Sequence, residues 1–163
     1  MAAIISDDGL HRYWLRRDLP LTLERCAAKP RTCTFIMLNP STADAEIDDP
    51  TIRRCIGFAD SFGCNGLEVV NLYAYRATDP AELLNVLNPE GPDNDIHLRV
   101  ALDKPGPLIA AWGAFAPPSR VTKLFEMAGA DSLQCLGTTK DGSPRHPLYV
   151  RADAQLEPWR PNT

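Results

Sequence analysis

Mainly apolar segments recur along the chain and predict four strands of a central sheet. The segments span residues 33–38 (CTFIML), 66–75 (GLEVVNLYAY), 106–113 (GPLIAAWG) and 132–137 (SLQCLG). The second is expected to leave the sheet near Asn71. The first segment is a continuous apolar and β-branched run, the pattern expected of a strand that helices cover on both faces. The segment HRYWLRRDL before Pro20 instead alternates bulky and charged residues, which predicts a half-exposed strand forming one arm of an N-terminal hairpin.

Helical patterns lie between these strands. The clearest is DDPTIRRCIGFADSFGCNG at residues 48–66, in which an Asp precedes Pro50 at the first helical position and Gly63 follows the last turn. Its apolar residues recur at helical spacing: Ile52, Cys55, Ile56, Ala59 and Phe62. Further segments predict a short helix in 78–87, another helix in 93–104 and a long one that opens on proline in 117–130.

The repeated strand-helix order predicts an α/β fold with parallel strands joined by right-handed crossovers. A length of 163 residues suits a single domain with its own core, which we place at residues 1–155. The proline-rich end, residues 156–163, is expected to be a loose tail.

Composition narrows the class of protein. The apolar fraction of 44% and the charged fraction of 23% are those of a soluble globular protein. A net charge of -4 argues against a broad basic face that binds long nucleic acid by counterion release. No apolar run reaches about 18 residues and the start lacks the layout of a signal peptide, so we expect a cytoplasmic protein. The five cysteines are odd in number and none are paired at metal or redox spacing, which predicts reduced thiols.

This architecture predicts the position of a ligand site. In open α/β sheets, ligands bind outside the carboxyl ends of the strands, where neighbouring connections diverge to opposite faces. The loops that follow the predicted strands are 39–49, 71–76, 112–118 and 137–147, and they hold almost all of the distinctive polar and aromatic residues. We therefore expect the functional residues in these four loops.

The first of these loops joins an Asn-Pro pair to an acidic run. Pro40 disfavours a strand or helix conformation at Asn39, so the side chain of Asn39 is left at the end of the strand. Its amide can hold a water molecule, form hydrogen bonds to the edge of a ring or cap its own turn. The run can be a solvated segment with a helix cap, or one of its carboxylates can act as a general base or bind a divalent cation. Its members are Asp44, Glu46, Asp48 and Asp49.

The other loops add amide, aromatic and basic groups. Asn71, with Tyr73 and Arg76 after it, can bind and stack on a heterocycle or pack at the rim of the core. Trp112 and Gly113 close the third strand before a helix whose free N–H groups can face an anion. The fourth loop gathers Lys140, Asp141, Arg145 and His146, and for His146 a catalytic role and a structural one have equal weight.

Four motifs in this order resemble a family of uncharacterised domains from bacteria and their phages. They are MLNPSTADAEIDDPTIRR, GCNGLEVVNLYAYRATDP, WG and TKDGSPRHPLYV, and the match covers nearly the whole chain. This resemblance indicates that the chain is related to that family. The family has no defined activity that could be carried over to this chain.

The order of motifs is also similar, more distantly, to that of the uracil-DNA glycosylase superfamily. The similarity lies in a strand that ends in Asn-Pro, a second that ends in Asn with Arg-x-Thr after it, a third that ends in Gly, and a late His-Pro loop. It implies a three-layer αβα sandwich around a four-stranded, mainly parallel sheet. It also implies that Asn39 positions the attacking water, Asn71 reads the pyrimidine edge and His146 stabilises the departing base.

Departures from the glycosylase pattern change the expected ligand. Leu148 and Tyr149 follow Pro147 where the glycosylases usually have Ser, the net charge is acidic, and the cysteines do not match iron-sulfur ligands. We therefore expect a small nucleobase derivative, a nucleotide or single-stranded nucleic acid as partner, rather than duplex DNA or a membrane. The further substrate-binding residues expected are Pro40, Ser41, Tyr73, Arg76, Trp112, Gly113, Lys140 and Arg145.

Three hypotheses for the function follow. The leading one is a nucleobase-recognising protein that hydrolyses an N-glycosidic bond with Asn39, Asp44, Asp48 and His146 as catalytic residues. The alternative is a non-catalytic module that binds a nucleotide or modified base in the same pocket. The third is a metal-dependent phosphoesterase built on the acidic loop. No cofactor is expected under the first two, whereas the third places a divalent metal at Asp44 and Asp48. No oligomeric state is predicted.

Overall fold

A seven-stranded mixed sheet organises the described part of the chain. The computed structural model describes residues 1–20, 22–23, 25, 29–41, 43–127 and 130–161. The strands are β1 (Ala2–Ile5), β2 (Arg12–Asp18), β3 (Thr32–Met37), β4 (Gly66–Asn71), β5 (Leu108–Ala110), β6 (Leu133–Cys135) and β7 (Glu157–Pro158), in the order β1-β2-β4-β3-β5-β6-β7. The α-helices are α1 (Pro50–Ser61), α2 (Asn94–Leu102) and α3 (Pro118–Phe125), with 3-10 helices at Pro80–Asn85, Gly113–Phe115, Ala130–Ser132 and Pro147–Tyr149.

The expectation of a four-stranded, mainly parallel sheet is wrong. β3 pairs in parallel with β4 and β5, and β5 with β6, but β1, β2 and β7 extend the sheet by antiparallel pairing at its two edges. The outermost strands β1 and β7 have four and two residues and are partly or fully exposed, so neither is buried as the central strands are. The α/β class is confirmed, and the N-terminal hairpin is present as β1 and β2.

Alternation of side chains along β3 builds a core on each face of the sheet. Phe35 and Met37 pack in the cluster that contains the buried face of α1. Ile36 and Leu38 pack in a second cluster that contains the buried faces of α2 and α3. Because successive strand residues point to opposite faces, the two clusters lie on opposite sides of the sheet.

The structure confirms the predicted start of α1. The side chain of Asp49 accepts a hydrogen bond from the backbone N–H of Ile52 at 2.8 Å, and Pro50 occupies the first turn. The helix predicted at 117–130 is shorter, because α3 ends at Phe125. Residues 128 and 129 lie outside the described residues.

The C-terminal segment differs from the loose tail expected from the sequence. β7 pairs antiparallel with β6, and Trp159 beside it is 5% exposed. The backbone N–H of Trp159 donates to the carbonyl O of Leu133 at 2.9 Å, and its indole N–H donates to the carbonyl O of Gly142, also at 2.9 Å. Its ring meets the ring of Trp112 edge to face at 5.0 Å. A tryptophan that can bury its ring and satisfy its N–H anchors the end of the chain.

The cysteines in the described residues are thiols in the core. Cys33, Cys55, Cys64 and Cys135 are free and buried, and Cys26 lies outside the described residues. Burial raises the pKa of the Cys55 thiol, which keeps it protonated. None of the helices in the described ranges has the length and apolar character needed to cross a bilayer.

We expect Trp159→Ala to lower the free energy of unfolding by about 3–5 kcal/mol, because it removes a large buried side chain and leaves a cavity. Urea unfolding followed by far-UV circular dichroism measures this loss. Leu87→Ala is the control, since Leu87 is fully exposed and such changes stay within about 0.5 kcal/mol. A loss below about 1 kcal/mol for Trp159→Ala would show that the segment is loosely held.

Candidate functional site

A cavity of about 600 Å³ opens at the carboxyl ends of β3, β4 and β5. Its volume is within the range of small-molecule sites. Its apolar lining consists of Met37, Leu38, Ile52, Ala77, Pro80, Trp112, Gly113, Ala114, Phe115 and Leu148. Its polar lining consists of Arg12, Asn39, Ser41, Asp49, Thr51, Asn71, Thr78, Thr139, Arg145, His146 and Tyr149.

The predicted site residues divide into two groups. The structure brings together, around the cavity, Asn39, Ser41, Asn71, Trp112, Gly113, Arg145 and His146. It does not place on this lining Pro40, Asp44, Asp48, Tyr73, Arg76 or Lys140. Arg12 lines the cavity although the sequence did not mark it as a site residue, and so does Asp49, which was one of the four acids considered but was not selected as catalytic.

Asn71 at the end of β4 is the most unusual polar residue of the cavity. It is 1% exposed, and neither its Oδ1 nor its Nδ2 has a hydrogen-bond partner among the described residues. Its backbone carbonyl, by contrast, accepts a hydrogen bond from Nδ2 of Asn94 at 3.0 Å. A buried amide without partners costs about 1–3 kcal/mol, and such groups are rare in native proteins. Asn71 therefore presents a free donor and a free acceptor at the cavity.

Asn39 is held by its neighbours in one orientation. Its Nδ2 donates to the carbonyl O of Ala77 at 2.8 Å and to that of Pro40 at 3.1 Å. The carbonyl of Pro40 also accepts from the backbone N–H of Ala77 at 2.9 Å. These bonds tie the loop after β3 to the loop after β4. With Nδ2 engaged in this way, the Oδ1 of Asn39 is the atom that can accept a hydrogen bond from a ligand or a water molecule.

Two acids of the run, Asp44 and Asp48, lie at a buried arginine rather than in the cavity. Nε of Arg17 donates to Oδ1 of Asp48 at 2.7 Å, and Nη2 of Arg17 donates to the carbonyl O of Asp44 at 2.6 Å. The Oδ1 of Asp44 accepts from the backbone N–H groups of Glu46 and Ile47, both at 2.9 Å. These backbone bonds, the first of which is the largest cause, lower the pKa of Asp44. Asp44 and Asp48 are thus occupied by structural contacts.

Asp49 is the acid of this run that lines the cavity. Its position follows from its role as the cap of α1, because the N-terminus of that helix faces the ligand site. The negative charge of Asp49 acts on two other residues of the lining, Arg12 and His146. The signal in the sequence that could have identified Asp49 is the Asp-Pro pair that predicts the start of the helix.

His146 is half-buried and is the N-cap residue of the 3-10 helix Pro147–Tyr149. Its Nδ1 accepts a hydrogen bond from the backbone N–H of Leu148 at 3.4 Å. Burial lowers the pKa of His146, and the charge of Asp49 opposes this shift in part. A neutral imidazole that accepts at Nδ1 carries its proton on Nε2. His146 can therefore act as a neutral hydrogen-bond donor.

Other predicted residues have structural surroundings. Tyr73 lines a smaller neighbouring cavity of about 330 Å³, and the guanidinium of Arg120 lies 5.9 Å from the centre of its ring. Arg76 donates to the carbonyl O of Gly9 at 3.3 Å. Lys140 is exposed. Over the part of the chain that the structure describes, no three His, Cys, Asp or Glu side chains are grouped so that they could hold a metal ion.

The fold and cavity together define an α/β protein with a candidate ligand site at the carboxyl ends of its parallel strands. The chain belongs to the family described as Protein of unknown function (DUF1643), whose model matches residues 12–148. That range begins at Arg12 and contains every residue of the predicted site.

Two other comparisons complete this finding. The chain is 32% identical over 133 residues to a protein of Pseudoalteromonas atlantica named tetraacyldisaccharide 4'-kinase. The match covers 82% of this chain and 39% of that protein, so the chain spans about two fifths of the length of this relative. No solved structure matches the chain.

We expect Asn71→Leu to raise the free energy of unfolding by about 1–2 kcal/mol, because it replaces an unpaired buried amide with an apolar group of similar size. The matched control is Asn94→Leu, another buried Asn. Its Nδ2 donates to the carbonyl O atoms of Asn71 and Leu72, both at 3.0 Å, so its removal should cost about 1–3 kcal/mol. Chemical denaturation measures both changes. Equal destabilisation by the two substitutions would contradict a free amide at Asn71.

Proposed function

We propose that this protein recognises a nucleobase in the cavity and hydrolyses the N-glycosidic bond that joins the base to its sugar. The observation that carries the proposal is the amide of Asn71, which is 1% exposed, lines the cavity and has both polar atoms without partners among the described residues. A folded protein retains such a group at a stability cost, and a ligand that pairs with it explains the retention.

A nucleobase suits this amide and its surroundings. The side chain of Asn offers one acceptor and one donor side by side, which matches adjacent donor and acceptor positions on the edge of a base. The apolar side chains of Met37, Leu38 and Trp112 line the same cavity. Flat heterocycles in protein pockets are held by apolar contact with their faces and by hydrogen bonds to their edges. The cavity combines both kinds of contact.

The other polar groups of the lining fit a hydrolytic step. Oδ1 of Asn39 and the carboxylate of Asp49 hold a water molecule, whose oxygen attacks the sugar carbon bonded to the base. The bond between that carbon and the base nitrogen breaks, and its electron pair leaves with the base. The proton of the water passes to Asp49. Nε2–H of His146 donates a hydrogen bond to the departing base and stabilises its developing negative charge.

The resemblance of the motif order to the uracil-DNA glycosylase superfamily supports these roles for Asn39, Asn71 and His146. Under this proposal the fold is a glycosylase-like three-layer sandwich that is widened by antiparallel strands at both edges. The catalytic carboxylate is Asp49 in place of Asp44 and Asp48, because those two acids are engaged with backbone N–H groups and Arg17. This engagement also leaves the phosphoesterase hypothesis without support.

A non-catalytic module that binds a nucleotide or base is the second candidate. It is favoured by the contacts that already engage the proposed water-holding groups. Oδ1 of Asp49 accepts from the backbone N–H of Ile52, and Nδ2 of Asn39 donates to two backbone carbonyls. A kinase activity is not proposed from the name of the Pseudoalteromonas relative. The match covers 39% of that protein, and this chain contains no Gly-rich phosphate-binding motif.

We expect a thermal-shift screen of bases, nucleosides, nucleotides and short single strands to give ligands that raise the melting temperature, and product analysis by chromatography to show the released base. Asn39→Ala should retain the thermal shift and lower the release rate by about 100-fold or more, since it removes a group that acts on the water. Asn71→Leu should lose the thermal shift.

Asp49→Asn and Asp48→Asn form a matched pair for this experiment. Asn is also a good helix cap, so Asp49→Asn should keep α1 and lose base release, whereas Asp48→Asn should keep base release. An undiminished rate in Asp49→Asn and Asn39→Ala would overturn the hydrolytic mechanism. A thermal shift with no product after long incubation would replace it with the binding module.

A further inference from the structure

Three arginines of the described residues are almost completely buried, and one of them differs from the other two. Arg12 and Arg17 are 2% exposed and Arg120 is 3% exposed. Arg17 pairs with Asp48 at 2.7 Å, and Arg120 pairs with Asp95 at 2.8 Å. For Arg12, no carboxylate oxygen of the described residues lies within 4.0 Å of its guanidinium nitrogens. Only Arg12 of the three lines the cavity.

The guanidinium of Arg12 is incompletely satisfied. Its Nη1 donates to the carbonyl O of Ala43, but its Nε is buried without a partner among the described residues. Burial lowers the pKa of Arg12 to about 10, a shift that the charge of Asp49 opposes and the charges of Arg76 and Arg17 reinforce. Arg12 still carries its charge at neutral pH. A buried charge without an ion pair is costly, so this arrangement calls for an anion.

A bulge in the N-terminal hairpin directs Arg12 toward the cavity. In the pairing of β1 with β2, Ile4 lies opposite Trp14 and Ile5 lies opposite Arg12, so Tyr13 is an extra residue. An extra residue reverses the alternation of side chains beyond it. Arg12 therefore leaves the face of Trp14, and its Nη1 reaches the carbonyl O of Ala43, a residue that packs in the cluster on the α1 face of the sheet.

The charges on the cavity lining also favour an anionic ligand. Arg12 and Arg145 contribute two positive charges, and Asp49 is the one Asp or Glu among the lining residues. A planar guanidinium forms strong, paired hydrogen bonds with phosphate oxygens. Asn71 and Arg12 lie at the ends of the neighbouring antiparallel strands β4 and β2, so they can bind two parts of one ligand.

We propose that Arg12 binds a phosphate group of the ligand, so that the protein takes a phosphorylated nucleotide in preference to a nucleoside or a free base. This inference rests on the proposed function for the base part of the ligand, and it adds a phosphate subsite built on a residue of the N-terminal hairpin. The phosphate can belong to a mononucleotide or to a strand.

The test compares each of uridine, cytidine, adenosine and guanosine with its 5'-monophosphate and with the dinucleotide that carries the same base, by isothermal titration at low ionic strength. We expect the phosphorylated forms of the preferred base to bind about 10- to 100-fold more tightly than its nucleoside, which is the usual worth of hydrogen bonds to charged groups. Tighter binding of the dinucleotide than of the monophosphate would assign the phosphate to a strand, and the reverse to a mononucleotide.

Substitutions of arginine by methionine identify the residue responsible. Arg12→Met should reduce the preference for phosphate to about threefold or less. Arg12→Lys should retain part of this preference, because it keeps the positive charge but loses the paired N–H donors of the planar guanidinium. Arg99→Met is the control, since Arg99 is an exposed residue of α2 on the other face of the sheet. It should leave the preference unchanged.

The stability of the ligand-free variants separates a binding role from a structural one. Arg17→Met breaks a buried ion pair and should lower the melting temperature by roughly 10 °C. Arg12→Met removes an unpaired charge and should stay within about 3 °C of the wild type. A fall as large as that of Arg17→Met would make Arg12 a structural arginine and overturn the inference.

Failure of this inference is distinguishable from failure of the proposed function. Equal affinity for nucleoside and nucleotide, or a phosphate preference that survives in Arg12→Met, would overturn the phosphate subsite while base recognition stands. Inorganic phosphate that binds wild-type protein and not Arg12→Met, with no added affinity from any base, would uphold the subsite and overturn base recognition.

Discussion

The parallel pairing of β3 with β4 is the constraint on which the rest of the structure depends. The two strands keep one register from Thr32 opposite Gly66 to Met37 opposite Asn71, and both are buried on their two faces. This register brings the strand ends to the same level, so Asn39 and Asn71 lie on adjacent connections. Helices on both faces follow from it, because strands without a polar face need cover on each side. The cavity forms where those connections separate.

Within this frame, the cavity contains two polar side chains, Asn71 and Arg12, that the fold leaves incompletely satisfied. Both polar atoms of the Asn71 amide and Nε of Arg12 are buried without partners among the described residues, whereas Nδ2 of Asn94 makes hydrogen bonds and Arg17 makes an ion pair outside the cavity. Proteins commonly accept local instability at functional sites. What supports a ligand site is that an amide with both its donor and its acceptor unpaired lines the same cavity as an arginine without an ion pair.

Local signals in the sequence predicted much of this arrangement. The apolar runs located the central strands, and the Asp-Pro pair located the start of α1 with Asp49 as its cap. Long-range contacts lay beyond such signals. Asp48 looked like a free carboxylate because Arg17, which donates to it, is distant in sequence, whereas Asp44 accepts from backbone N–H groups of its own loop. The burial of Arg12 could not be predicted from the local pattern of its strand. The bulge that turns its side chain depends on the pairing of β2 with β1, which the local sequence does not show. The edge strand β7 has only two residues, too few to show a periodic pattern.

The most direct test of base recognition observes the amide of Asn71 itself. In heteronuclear NMR spectra, the side-chain NH₂ signals of Asn71 are assigned by their loss in Asn71→Leu and followed during titration with the nucleotide that stabilises the protein most. We predict that both proton signals shift and that they saturate at the same ligand concentration as the backbone signals of the cavity loops, because the amide gains its missing partners. Saturation of the loop signals while the Asn71 amide stays unmoved would contradict the account.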